Sequence, residues 1–277
     1  MDKNLKIWID LLVNKFTPVF KGKNLPHIYA DFANGSGTAV AMDVFGRLGF
    51  KVTAFNTETD GKNINVDCGA THPEFLKSKM TAGPGGHPLV GISFDGDADR
   101  CIVIDETGKV VTGDVLMAAL CLTSNAKTLI STIMFNSGTQ KFLEQKGVEL
   151  VRTKVGDRFI VEAIKQLDNI SNIIAGEPSG HYVFPEIFLS GDGLLSALMI
   201  LKMIVETGKP LNQLCGDIPM WPSILKNVTH EVESGEYWKG DARVLIRKSG
   251  TERLWRILVE APTQKQCQEI LDDILKK

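Results

Sequence analysis

A chain of 277 residues is long enough for about two domains, each with its own core. Its 43% apolar and 23% charged residues and formal net charge of −2 describe an ordinary globular protein, which excludes a disordered or fibrous chain, and no basic stripe offers a footprint for nucleic acid. No uncharged apolar run approaches the roughly 18 residues of a membrane helix, and Lys6 and Asp10 break the N-terminal apolar residues in a way a signal peptide does not.

Residues 2–16 place Leu5, Trp8, Ile9, Leu12 and Phe16 at helical spacing behind Asp2 or Asn4 as a cap. From Leu25 to Asn56 the pattern is strand, glycine turn at Gly35 and Gly37, helix, strand, the rhythm of a βαβ unit. Residues 75–90 read as a short helix followed by a flexible Gly/Pro joint, and "LVGISF" as an apolar strand. A second alternation follows: strand "TLISTIM", helix "GTQKFLEQKG", strand "VELVRT", helix "GDRFIVEAIKQL" and strand "NIIAGEPSG". The apolar helix "GDGLLSALMILKMIVETG" stops at Gly208 and Pro210. Beyond about Pro219, "ARVLIRKSG" and "RLWRILVEA" read as strands flanking a turn, and "KQCQEILDDILKK" as an amphipathic helix.

The expected fold class is therefore α/β, with two consecutive α/β domains of mixed sheets flanked by helices, and a small C-terminal α+β domain. The boundaries are set at 1–126, 127–217 and 218–277. The cysteines, Cys68, Cys101, Cys121, Cys215 and Cys267, are odd in number and form no CxxC pair, so reduced, mostly buried thiols in a cytoplasmic protein are expected.

Three loops carry chemistry. In "SFDGDADRCIVID" the carboxylates of Asp95, Asp97 and Asp99 alternate with Gly96 and Ala98 at the end of an apolar strand, where open α/β sheets place ligands. Such crowding suits a hard divalent cation with oxygen ligands, Mg²⁺ above all, and it lacks the fixed glycine and distant glutamate of an EF-hand. A solvated acidic turn has the same D-x-D-x-D spacing; the preceding strand and Arg100 favour the functional reading. In "GEPSGHYVF", Glu177, Ser179 and His181 alternate and can present a carboxylate, a hydroxyl and an imidazole to a hydroxyl-rich ligand. In "RKSGTERLWR", Arg247, Ser249, Thr251 and the backbone around Gly250 suit a phosphate cradle, although a plain hairpin turn has the same composition.

Taken together, "FDGDADR", "GEPSGH" and "RKSGTE" resemble, in order and spacing, the metal-, sugar- and phosphate-binding loops of the α-D-phosphohexomutase superfamily. "DGKNINVDCGATHPE" and "VELVRTKVGDRFIVEAI" look most like its phosphoglucosamine mutase branch, which interconverts glucosamine 6-phosphate and glucosamine 1-phosphate. The resemblance runs from about residue 27 to the C-terminus and covers the family's second, third and fourth domains. It implies Mg²⁺ on Asp95, Asp97 and Asp99 with Arg100 beside it, sugar hydroxyls on Glu177 and Ser179 with His181 in the same loop, and a non-reacting phosphate on Arg247, Ser249, Gly250 and Thr251. Lys154, Asp157 and Arg158, in "TKVGDR", match a family loop facing the cleft.

The family's phosphoserine motif, of the form T-A-S-H-N-P, has no match in this sequence, and Thr71 and His72 in "GATHPE" belong to a structural stretch of the second domain. Arg253 stands where the family has proline, and the fourth domain looks abbreviated. The resemblance thus leaves open a mutase component completed by a separate serine-bearing domain, a catalytically silent phosphosugar-binding protein, or an inactive truncated product. A phosphorylated hexose or hexosamine is the expected ligand. A serine-bearing domain or a second copy is the expected cover for the apolar surface where the first domain docks, unless residues 5–16 cover it themselves.

Overall fold

The computed structural model describes residues 3–80, 89–249 and 252–276. Its first helix, α1 (Lys3–Phe20), buries Ile9, Leu12, Val13, Phe16 and Phe20 along one stripe. It runs a turn beyond the expected end and through Pro18, because Phe16 and Phe20 still pack inward and a proline this close to the end withdraws only one helical bond. The expected βαβ unit then follows as β1 (His27–Asp31), α2 (Thr38–Arg47) and β2 (Val52–Phe55), with β1 and β2 parallel.

A 3₁₀ turn, Gly69–Thr71, in "GATHPE" leads into α3 (Pro73–Lys79). The expected Gly/Pro joint falls on residues 81–88, outside the described residues. Strands β3 (Leu89–Phe94), β4 (Cys101–Ile104) and β5 (Val110–Val111) complete a five-stranded sheet of order β2-β1-β3-β4-β5, in which β3 runs parallel to β1 and β4 turns back antiparallel.

Helix α4 (Gly113–Ser124) went unnamed in the sequence pattern because eight of its twelve residues are buried, Leu116–Cys121 in one unbroken run, so no apolar stripe marks its period. It packs against the second sheet, on the far side of the expected boundary at residue 126. That sheet is built from β6 (Thr128–Thr132), β7 (Glu149–Thr153), β8 (Ile173–Gly176) and β9 (Tyr182–Val183), in the order β7-β6-β8-β9. Helices α5 (Ser137–Gln145) and α6 (Asp157–Lys165) make its crossovers. The first two sheets thus share one plan: three parallel strands with the first in the middle, then an antiparallel return.

Helix α7 (Gly193–Thr207) is N-capped by Asp192 and closed by Gly208 in the left-handed region. It packs on α1 and α4, and one continuous apolar core runs through both sheets. After the short α8 (Leu211–Cys215), the C-terminal unit folds as β10 (Ser223–Val228), β11 (Gly235–Lys239), β12 (Ala242–Lys248), β13 (Trp255–Glu260) and α9 (Gln264–Leu275). The four strands are antiparallel in the order β10-β13-β12-β11, and α9, started by a Thr263/Gln266 capping box, covers one face. The mixed α/β architecture expected from the sequence is the one observed. All five cysteines are buried and unpaired. Among the described residues no helix is long and apolar enough to cross a membrane.

Candidate functional site

Because the two α/β sheets share a plan, their third strands end in equivalent hairpins. The β3–β4 hairpin carries Asp95–Arg100 and the β8–β9 hairpin carries Glu177–His181, and the two loops meet. Cys101 N–H donates to the Gly180 carbonyl at 2.9 Å, and His181 Nδ1 lies 3.2 Å from Asp99 Oδ2. Gly193 N–H, at the start of α7, donates to the Ala98 carbonyl at 2.8 Å. A cavity of about 350 Å³ opens beside the joined loops, bordered by Trp8, Ser36, Asp97, Asp99 and Asp192.

The aspartate loop is held from behind. Ser36 N–H donates to the Gly96 carbonyl at 3.0 Å, and Ala98 takes a left-handed conformation that closes the turn onto Asp95. A Cβ at position 96 would collide with the Ile64 side chain, which closes over the loop there. One ligand oxygen from each of Asp95, Asp97 and Asp99 lies within 4.8 Å of the others. Burial pushes the Asp95 carboxyl up to about 6; the Arg100 N–H opposes the shift, and Asp99 and Asp97 reinforce it. Arg100 Nε stands 3.7 Å from Asp95 Oδ2 and 3.8 Å from Asp99 Oδ1, beyond hydrogen-bond reach, so Asp99 Oδ1 is buried without a hydrogen-bond partner. Three converging carboxylates, one destabilised as an anion and one with an unused buried oxygen, are a donor set that fits a hard divalent cation.

In the second loop Glu177 is half-buried and Ser179 exposed, while His181 is 6% exposed, with its Nε2 pressed against Gly191 and unpartnered. The imidazole therefore bridges the two loops and does not stand open in the cleft. Glu177 Oε1 accepts the Gly156 N–H at 2.9 Å, which brings the "TKVGDR" loop into the site. Lys154, Asp157 and Arg158 are exposed there, and both cations lie over the Phe159 ring, at 5.6 and 4.5 Å from its centroid.

The third loop joins β12 to β13. Ser249 is buried, its N–H donating to the Leu254 carbonyl at 2.8 Å; Gly250 and Thr251 lie outside the described residues. The strand register sets three cross-strand pairs on the face away from α9: Arg243 with Glu260, Leu245 with Leu258, and Arg247 with Arg256. The first pair is an ion pair and the last sets like charges directly opposite, an arrangement that costs stability. Arg256 Nη2 reaches Glu252 at 3.0 Å, but its Nε is buried without a partner, and the Arg247 pKa is lowered by burial and then by Arg256. Arg256 was not assigned a role from sequence; the only signal was an arginine at each end of "RKSGTERLWR".

Among the described residues Arg247 and Ser249 make no hydrogen bond to the other two loops. The sheet that carries them is anchored to the second sheet's β6–α5 segment at the opposite end of the same strip. Arg243, fully buried, pairs with Glu260 at 3.0 Å and Glu236 at 2.8 Å and donates to the Ile133 carbonyl at 2.6 Å. Glu260 also accepts the Ser137 hydroxyl at 2.5 Å, so the β6–α5 loop grips the C-terminal sheet.

The family models that match are the phosphoglucomutase/phosphomannomutase alpha/beta/alpha domain II over residues 6–108, alpha/beta/alpha domain III over 112–220, and the C-terminal domain over 222–277. The chain belongs to the phosphoglucomutase/phosphomannomutase family. Within the family it is similar to phosphoglucosamine mutase of Bifidobacterium adolescentis, 38% identical over 98% of this chain and 63% of that protein. It is equally similar to phosphoglucosamine mutase of Bacillus subtilis, 38% identical over 90% of this chain and 59% of that protein. The chain thus spans less than two-thirds of the length of these two phosphohexomutases. Among solved structures, N-acetylphosphoglucosamine mutase of Aspergillus fumigatus in complex with GlcNAc-6P and magnesium superposes with a TM-score of 0.76. That match is 18% identical and covers 96% of this chain and 68% of that one, a likeness of fold.

Proposed function

We propose that this chain forms the metal-, sugar- and phosphate-binding part of a phosphoglucosamine mutase, acting on glucosamine 6-phosphate and glucosamine 1-phosphate in the cytoplasm. The observation that carries the reading is the junction of the aspartate and Glu177 loops through Asp99 and His181, which sets a cation site against a sugar site. The 38% identity to phosphoglucosamine mutases supports the choice of substrate. Asp95, Asp97 and Asp99 would hold Mg²⁺, which when bound neutralises negative charge on a transferring phosphoryl group.

The chain's own residues do the rest. Glu177 and Ser179 accept and donate hydrogen bonds at sugar hydroxyls, and His181 locks their loop to Asp99. Arg247, Arg256 and Ser249, with Gly250 and Thr251, grip the phosphate that does not react, and the arginines' forked donors orient it. Arg100 keeps positive charge beside the carboxylates, and Lys154 and Arg158 add it at the cleft mouth, with Asp157 between them in sequence. The phosphoryl group is carried by a serine these 277 residues do not supply, since no T-A-S-H-N-P motif occurs among them. A second reading is a phosphosugar-binding protein without turnover.

The test is a mutase assay on the purified chain with glucosamine 6-phosphate, Mg²⁺ and a trace of the bisphosphate sugar, repeated with a separate serine-bearing first domain. Turnover only after that addition supports the proposal. Binding of glucosamine 6-phosphate without turnover in either case supports the second reading, and no binding refutes both.

A further inference from the structure

We infer that Gly156 is a positioning residue for Glu177, so that the β7–α6 loop sets the affinity of the sugar site. The inference rests on the role of Glu177 as a sugar ligand. Gly156 stands at φ +122° and ψ 135°, a conformation that side-chain-bearing residues rarely adopt. The strain has a geometric use. With this backbone the Gly156 N–H points away from α6 to Glu177 Oε1 at 2.9 Å, while its carbonyl accepts the Phe159 N–H at 3.1 Å in the first turn of the helix. One residue therefore starts the helix and holds the carboxylate.

Glu177 is fixed at its other end by its own backbone. Its N–H donates to the His181 carbonyl at 2.8 Å, and its carbonyl accepts the Gly180 N–H at 3.1 Å. The Gly156 bond is the one hydrogen bond to the Glu177 side chain among the described residues, and it removes the rotamer freedom that a half-exposed glutamate would otherwise lose on binding. It occupies Oε1 and leaves Oε2 for the ligand. The carboxylate also lies at the N-terminal end of α6, where the helix dipole favours an anion. Space does not require glycine: a Cβ at position 156 would meet only Phe159 carbons, at 3.6 and 3.9 Å. Gly156→Ala therefore perturbs backbone conformation without a collision.

The test has two arms. In glycine-selectively ¹⁵N-labelled protein, the Gly156 amide is expected to exchange about tenfold faster or more in Glu177→Ala than in the wild type, since its acceptor is gone. By calorimetry with glucosamine 6-phosphate and Mg²⁺, Gly156→Ala is expected to weaken binding about tenfold, whereas the exposed neighbour Val155→Ala leaves it unchanged. In a Glu177→Ala background the same glycine substitution is expected to change affinity little, the non-additivity of a coupled pair. Equal loss in both backgrounds, or unchanged Gly156 exchange, overturns the inference. If the wild type fails to bind glucosamine 6-phosphate, the proposed function falls. The exchange arm then decides by itself whether Gly156 holds Glu177, and it also serves should Gly156→Ala not fold.

Discussion

Replacing Glu260 by alanine tests the most heavily buried ionic contact in the molecule's C-terminal half. Glu260 is 2% exposed, and its carboxylate receives Arg243 at 3.0 Å, the Ser137 hydroxyl at 2.5 Å and, more weakly, the Asn136 amide at 3.4 Å. Its loss leaves Arg243, fully buried, with Glu236 and one carbonyl, and leaves Ser137 without its acceptor. Breaking a buried pair from one side costs about 3–5 kcal/mol. The surviving Glu236 contact places the expected loss toward the lower end, at about 3 kcal/mol. Urea denaturation at neutral pH, followed by both tryptophan fluorescence and far-ultraviolet circular dichroism, gives the midpoint and slope and shows whether the C-terminal sheet separates first. The double variant Arg243→Met with Glu260→Leu removes both charges and keeps most of the volume, so it is expected to be more stable than Glu260→Ala. A single-variant loss below about 1 kcal/mol, or a double variant less stable than the single one, would refute the claim that this pair anchors the sheet.

Other expectations concern charge and ligands. Burial, only partly offset by backbone N–H groups, raises Asp114 from 3.8 to about 6, so the native state holds its proton more tightly than the unfolded chain does. Stability therefore falls as pH rises from about 4 to 6, by about 3 kcal/mol for this group. Asp114→Asn, which can still accept the Asn136 N–H, is expected to exceed the wild type in stability at pH 7 and match it near pH 4; urea midpoints at both pH values check this, and no gain at pH 7 contradicts it. Asp97→Asn removes one of three ligand charges and is expected to weaken Mg²⁺ binding at least tenfold by calorimetry; an unchanged affinity counts against the metal assignment. Arg256→Ala is expected to weaken binding of inorganic phosphate about tenfold to a hundredfold and to reduce its salt dependence, with an unaltered affinity excluding Arg256 from the cradle.

Much of this protein was legible from local pattern. The strand-helix rhythm from Leu25 to Thr207 reports burial on one or two faces, and burial leaves its period in the residues themselves. The candidate loops stood out in the sequence because crowding three carboxylates around Gly96, or setting a glycine between Glu177 and His181, has few structural uses. Helix α4 was not legible: its run Leu116–Cys121 is buried without a break and carries no period. Strands β10 and β11 were missed because their solvent-facing residues include Leu225, Tyr237 and Trp238, which blurs the alternation.

The sequence by itself determined which chemical groups this protein owns and roughly where each stands along the chain. Tertiary structure decided which of them meet. The shared plan of the two sheets brings Asp99 to His181 across 82 positions, and the β12–β13 register turns Arg247 toward Arg256 while tying Arg243 to Glu260. A left-handed backbone at Gly156 turns an amide onto Glu177. Each of these depends on strand pairing, register or a dihedral angle, quantities that arise only when separate segments pack together.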